Sequence, residues 1–335
     1  MSKKMMKRSL ALGALMAFVI TGQAWADDLM GGADLTSVNV WTDKTVFSVE
    51  QTAGNYDDVI GANYYGVNMS TTNLHDKTTV CNLQSVTTTL NGDIEVVESV
   101  FGGSKIAGGF MEQHSDSPKI EFALNTAVTN LTINNGKYGT IESSQDKDFR
   151  KVVTAGDFVK ERGLNYGDVV KINSKIEESN LTINDGEFDA VIYGGSVIGV
   201  YAYQNVNIGT NVKESNVIIN DGKFNAPVVA GGASFNLHTG GSGILGDLHE
   251  GSNITNTVET VNLTINGGEF NDNIYAGGVE GVTGDAEPAI KPVAKVGVAN
   301  IAINNTKVEN VYGYNVIGER TITGSYNNGS YGYWD

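Results

Sequence analysis

Asn262-Leu-Thr-Ile-Asn-Gly-Gly-Glu-Phe270 decides the fold, because the chain writes this phrase five times. It stands also as Asn130-Leu-Thr-Ile-Asn-Asn-Gly-Lys-Tyr138, Asn180-Leu-Thr-Ile-Asn-Asp-Gly-Glu-Phe188 and Asn216-Val-Ile-Ile-Asn-Asp-Gly-Lys-Phe224. A worn form is Asn300-Ile-Ala-Ile-Asn-Asn-Thr-Lys-Val308. Within the phrase Leu181 and Ile183 point one way while Asn180, Thr182 and Asn184 point the other, the period of a half-buried strand. Asp185-Gly186 is a turn pair, since glycine takes positive φ at no steric cost. A unit this short cannot bury its apolar face alone, so a repeat of this kind predicts a solenoid of stacked neighbours.

Two further strands belong to each unit. Downstream, Ile192-Tyr-Gly-Gly195 matches Val228-Val-Ala-Gly231 and Ile274-Tyr-Ala-Gly277. Upstream, Phe122, Ile172, Ile208 and Ile254 each stand eight residues before the phrase, the positions of a third strand. The reading is an all-β chain, a parallel β-helix of about six three-strand coils. Repeat starts at 130, 180, 216, 262 and 300 are unevenly spaced, and the extra residues fall in inserts near 143–169, 196–205, 233–251 and 279–289. These inserts are expected to project from one corner. A degenerate coil at Thr87-Thr-Thr-Leu-Asn-Gly-Asp93 extends the repeats over residues 86–318, with residues 27–85 as an N-terminal cap and 319–335 as a tail.

Residues 1–26 have the form of a signal peptide. Lys3, Lys4, Lys7 and Arg8 precede an apolar run from Leu10 to Ile20, and Ala24-Trp25-Ala26 is a small-x-small cleavage site. The chain is expected to be exported, to an extracellular, cell-surface or periplasmic place, with no integral membrane segment in the mature part. Removing those four positive charges takes the formal net charge from −16 to −20. Such acidity disfavours nucleic acid and anionic lipid as partners. Cys81 is the single cysteine, so no intrachain disulfide forms.

Several positions stack if the repeats are in register. Asn91, Asn134, Asn184, Asn220, Asn266 and Asn304 would form an amide ladder at about 4.8 Å spacing. Tyr138, Phe188, Phe224 and Phe270 would form an aromatic column. The residue before each aromatic alternates in sign through Lys137, Glu187, Lys223, Glu269 and Lys307, which penalises a slip of one repeat. Both ladders read as structural rather than ligand-binding.

An enzyme is the natural rival reading, and the residue types argue against it. A lyase needs a basic residue beside uronate-neutralising cations, whereas the mature chain holds only Arg150, Arg162 and Arg320, outside the expected strands. Asp57-Asp58 reads as a solvated turn pair. None of His75, His114, His238 and His249 lies in a Gly-His-Gly, and Gly240-Gly-Ser-Gly243 lacks the acid of a calcium nonapeptide. No catalytic residue, metal site or cofactor is expected.

The phrase at 262–270 followed by Ile274-Tyr-Ala-Gly-Gly278 resembles the repeats of bacterial autotransporter and adhesin-type passenger domains, over roughly residues 86–318. That resemblance implies a right-handed parallel β-helix, displayed or secreted, used for adhesion to a host or bacterial surface glycan or protein. The family continues into a C-terminal outer-membrane barrel, and no series of amphipathic strands follows Ile317 here. The expected function is a non-enzymatic binding scaffold, with a polysaccharide-degrading enzyme or a structural matrix component as alternatives. The inserts are the expected binding surface, with Tyr201 and Tyr203 in one and His238 and His249 in another as the candidate contacts.

Overall fold

The computed structural model describes residues 27–35, 44–67, 77–108, 119–140, 151–162, 169–201, 206–237, 252–283, 292–304, 306, 308, 310–313 and 316–320. Residues 1–26 lie outside them. Among the described residues the chain is all-β without a helix, in a 17-stranded and a 7-stranded sheet. Every strand pairing is parallel. The phrases lie on one another in register, Asn130 against Asn180, Asn180 against Asn216, Asn216 against Asn262 and Asn262 against Asn300.

Each repeat contains one long strand, such as Val169–Ile183, in place of the separate upstream and phrase strands expected from sequence. No glycine or proline interrupts Asn173 to Asn180, so the backbone bends without breaking. Inward positions run Ile172, Ser174 and Ile176, then shift phase to Ser179, Leu181 and Ile183. The two outward residues between, Glu177 and Glu178, form the bend, and Lys213-Glu214 repeat it one layer on. After the phrase come the strands Glu187–Phe188 and Val191–Tyr193. The glycine of the intervening turn has positive φ in every layer where it occurs: 131° at Gly136, 134° at Gly186, 126° at Gly222 and 111° at Gly268. Its N–H is bonded by the preceding side chain, at 2.7 Å from Asp185 and 2.9 Å from Asp221.

A sharp corner at Gly194-Gly195 then delivers the chain to the smaller sheet. Side chains are excluded there, since a Cβ on Gly194 would meet the Ala230 carbonyl oxygen at 2.4 Å. The smaller sheet corrects the insert reading. Phe158–Arg162, Val197–Tyr201, Ala233–Leu237 and Val279–Thr283 begin or lie within the expected inserts, yet they are paired strands. Val197, Ile198 and Val200 are fully buried. Also, 141–150 separates Tyr138 from Val152–Thr154, so the extra residues of that repeat sit at a different corner.

Stacked layers begin earlier than the expected boundary at residue 86. Val46–Ile60 pairs with Lys77–Phe101 and buries Phe47 and Val49, so 27–85 carries stacked strands of its own. Register shifts between Gln51 and Ala53 and between Tyr56 and Asp58 erase the phrase there. In the tail, Glu319 and Arg320 still belong to the strand Val316–Arg320. The interior holds two apolar cores, one beneath the phrases with Leu181, Ile183, Phe188 and Ile192, the other beneath the smaller sheet with Phe122, Ile172, Ile198 and Ile208. A third cluster, including Phe101, Phe158, Tyr193 and Val197, lies between the short strands and the smaller sheet. No helix among the described residues is long and apolar enough to cross a membrane.

Candidate functional surface

Tyr201 ends the strand Val197–Tyr201, its backbone paired with Arg162. The next strand, Ala233–Leu237, lies beside it, with Val200 opposite Asn236. Segments 202–205 and 238–251 therefore start from adjacent strands at one edge, although Tyr203, His238 and His249 lie outside the described residues. The arrangement is general. All seven strands of the smaller sheet are parallel, so Val67, Gly108, Arg162, Tyr201, Leu237, Thr283 and Arg320 end on the same side. The segments that follow them vary in length and sequence from repeat to repeat. That edge collects these variable segments side by side, while 141–150 leaves from another corner.

The faces formed by the phrases are regular instead. Nδ2 of Asn184 donates to Asn134 at 2.5 Å, and the ladder continues through Asn220 (2.7 Å), Asn266 (2.8 Å) and Asn304 (3.0 Å), with Asn134 also bonded to Asn91. A second ladder runs from Asn130 through Asn180, Asn216 and Asn262 to Asn300 at 2.8–3.0 Å. A short third joins Asp189, Asn225 and Asn271. Sequence reading passed over both, although their residues recur at fixed positions. Each amide inside a ladder spends one donor and one acceptor on its neighbours, which leaves less for a ligand. The aromatic column is interior: Tyr138, Phe188 and Phe224 are buried, with ring centroids 4.8–5.0 Å apart down to Phe270. Its buried rings, Tyr138, Phe188 and Phe224, are out of reach of a sugar, while Phe270 is half-buried. Lys223 Nζ lies 2.9 Å from Glu187 Oε1, and that bond holds the Glu187 carboxyl below its ordinary pKa.

Asp58 is not a solvated turn residue. It sits in the strand Val46–Ile60 at 6% exposure, because Lys105 folds over it with Nζ 2.7 Å from Oδ2. Asp58 Oδ1 accepts the Ser99 N–H at 3.0 Å, and the Asp58 N–H donates to Asp28 Oδ1 at 3.2 Å. The Lys105 ammonium also stands over the rings of Tyr64 and Phe101 at 4.9 and 5.5 Å. Burial raises the Asp28 pKa, and the neighbouring Asp58 charge adds to it. Burial opposes the Lys105 charge, but Asp58 outweighs it and holds the lysine pKa above its ordinary value. Five strands meet in this cluster, and both Asp58 oxygens are occupied within it. It acts as a staple across the first layers.

Asp157 was likewise absent from the sequence-derived candidates. It follows the glycine of the Ala155-Gly156 corner and is fully buried. Its Oδ1 accepts the Ser104 N–H at 2.7 Å and its Oδ2 the Ser174 hydroxyl at 2.6 Å. Burial pushes its pKa up to about 6 against these two bonds. The same corner position holds Asn63, Ser104 and Ser196 in other layers, forming an internal polar column. Where that column has Gly232, the facing residue is Asn256, whose Nδ2 bonds the carbonyls of Ser196 and Ala233 at 2.7 and 3.0 Å. No substrate reaches this column.

Among the described residues, no group of three or more His, Cys, Asp or Glu side chains is placed to hold a metal ion. A cavity of about 280 Å³ lies at the long-strand bend, lined by Asn82, Leu83, Asn125, Thr126, Ala127, Lys175 and Glu177, with the last two ion-paired at 2.6 Å. Comparison with protein-family models, curated proteins and solved structures finds no match for the chain. What the fold defines is a class: an all-β repeat protein of parallel stacked strands.

Proposed function

We propose that the chain is a right-handed parallel β-helix of the autotransporter-passenger type, exported by bacteria, and that it is a non-enzymatic binding scaffold for a surface glycan or protein. Right-handed turning is the near-universal hand of parallel β-crossovers. The carrying observation is the shared edge of the smaller sheet, from which the segments after each of its strands leave while the phrase faces are taken up by ladders. A rigid frame presenting variable loops is the common geometry of recognition surfaces. Tyr201 and Tyr203 supply rings for stacking on a sugar or a partner side chain, beside the segment that carries His238 and His249.

The test is a glycan and extracellular-matrix array probed with the purified chain, read in parallel for reducing-sugar or unsaturated-product release. Binding without turnover, lost in Tyr201→Ala with Tyr203→Ala, is the expected result. Product release would overturn the reading in favour of a polysaccharide-degrading enzyme, and would turn attention to Asp28, Asp58 and Lys105.

A further inference from the structure

The lysine–carboxylate pairs of this chain differ in their surroundings. Lys171 with Glu121 and Lys223 with Glu187 lie at 2.5 and 2.9 Å, yet their side chains are 38–46% exposed and water screens them. Lys105 and Asp58 lie at 2.7 Å with side chains only 17% and 8% exposed. The Tyr64 and Phe101 rings stand 4.9 and 5.5 Å from the Lys105 nitrogen, so amine and carboxyl meet where little water reaches. Holding two charges in such a place is costly, and moving one proton from Nζ to Oδ2 gives a neutral pair that avoids the cost.

The pair is also arranged for bond formation. Asp58 Oδ2 faces the lysine, whereas Oδ1 accepts the Ser99 N–H at 3.0 Å. A backbone N–H on that oxygen stabilises the negative charge that gathers there when a nucleophile adds to Cγ. Asp28 lies alongside, its Oδ1 accepting the Asp58 N–H at 3.2 Å. Burial and the Asp58 charge raise the Asp28 pKa, so its carboxyl keeps a proton more readily than a free aspartate does. An acid so placed can carry a proton between amine and carboxyl. Both reacting groups sit on strands of one stack, which removes most of the entropy cost of bringing them together.

We propose that Lys105 and Asp58 join in a covalent amide once the chain has folded. In the neutral pair the Nζ lone pair adds to Asp58 Cγ, and charge collects on Oδ1 against the Ser99 N–H. Asp28 takes a proton from the nitrogen and returns one to Oδ2, which leaves as water. One carboxylic acid and one amine give one amide and one water, so the step needs no oxidant or reductant. Oδ1 becomes the amide oxygen and keeps its bond to Ser99. The product closes a loop across 47 positions and ties Val46–Ile60 of the larger sheet to Lys105–Gly108 of the smaller. The end layers of a stack have a neighbour on one side only and open more easily than the middle. A covalent bond in the first layers secures one of those ends.

Mass spectrometry of the full chain, purified and incubated at neutral pH, tests this. The intact mass is expected to fall by one water, and digestion is expected to yield a branched peptide joining the segments around Asp58 and Lys105. Lys105→Arg, which keeps the cation but has no amine to acylate, is expected to retain its full mass. Asp28→Asn leaves both reacting groups in place and is expected to slow the branched peptide's appearance about tenfold or more. An undiminished mass in the unaltered chain would overturn the proposal. So would loss of water without a branched peptide, which marks a succinimide at an aspartate. An equal yield of branched peptide from Lys171 with Glu121 would overturn it too, as unselective dehydration. A rate unchanged in Asp28→Asn would overturn the proton transfer assigned to that residue.

Discussion

Asp157 shows how a single position couples the interior to solution conditions. Its pKa stands near 6 in the folded chain against an ordinary 3.8. Between those values the folded chain holds a proton that the unfolded chain has released. Stability from this group therefore grows as pH falls through that window and is lost as pH rises through it. The full swing is about 3 kcal/mol, two units at about 1.4 kcal/mol each. Replacement by asparagine keeps the shape and an acceptor for the Ser104 N–H while removing the charge. We expect Asp157→Asn to raise the denaturation midpoint at pH 7 and to flatten its pH dependence between 4 and 6, measured by urea titration across that range. The charge ladder gives a second check at this scale. Glu187→Lys sets three positive side chains in sequence with Lys137 and Lys223. Its melting temperature should fall at low salt and recover at about 1 M salt, where the Debye length shrinks to about 3 Å; equal loss at both salt levels would rule out a charge effect.

At the scale of elements, the aromatic column ties the short strands into the main core. Phe224 lies between Phe188 and Phe270 with centroids 5.0 and 4.8 Å away. Phe224→Ala should cost about 3–5 kcal/mol, measured by chemical denaturation. The staple is a second joint. Lys105→Ala leaves Asp58 buried without its cation and should cost about 3 kcal/mol or more, while Lys105→Met with Asp58→Leu should cost less, because a buried charge is then no longer stranded. The phrase strands, the turns, the asparagine ladder through Asn184 and the aromatic column were legible in the sequence because the same residue types return at each layer. The smaller sheet was not, because Phe158-Val-Lys, Val197-Ile-Gly-Val and Ala233-Ser-Phe share only a short apolar tendency and run into segments of unequal length. The continuity of Val169–Ile183 was hidden by the phase shift at Glu177-Glu178, which looks in sequence like a break between two strands. The staple joins Asp58 to a lysine 47 positions away, and no spacing rule in the chain announces that pairing.

Across the whole molecule, stability is a sum over layers and their nearest-neighbour contacts. The ladders and columns keep those contacts uniform, while the segments after the smaller sheet change length without disturbing them. Under the proposed function, recognition by those segments, with Tyr201, Tyr203, His238 and His249 as its candidate contacts, would rest on the frame that sets their starting points side by side. Their separation from the frame is the central claim. It is tested most directly by replacing 202–205 and 238–251 with Gly-Ser segments of equal length, then measuring affinity for the strongest array ligand beside the unfolding midpoint. The account predicts at least a tenfold loss of affinity with the midpoint unchanged. Full affinity in the replaced chain, or binding lost instead when Thr182 and Thr264 on the phrase face become lysine, would contradict it.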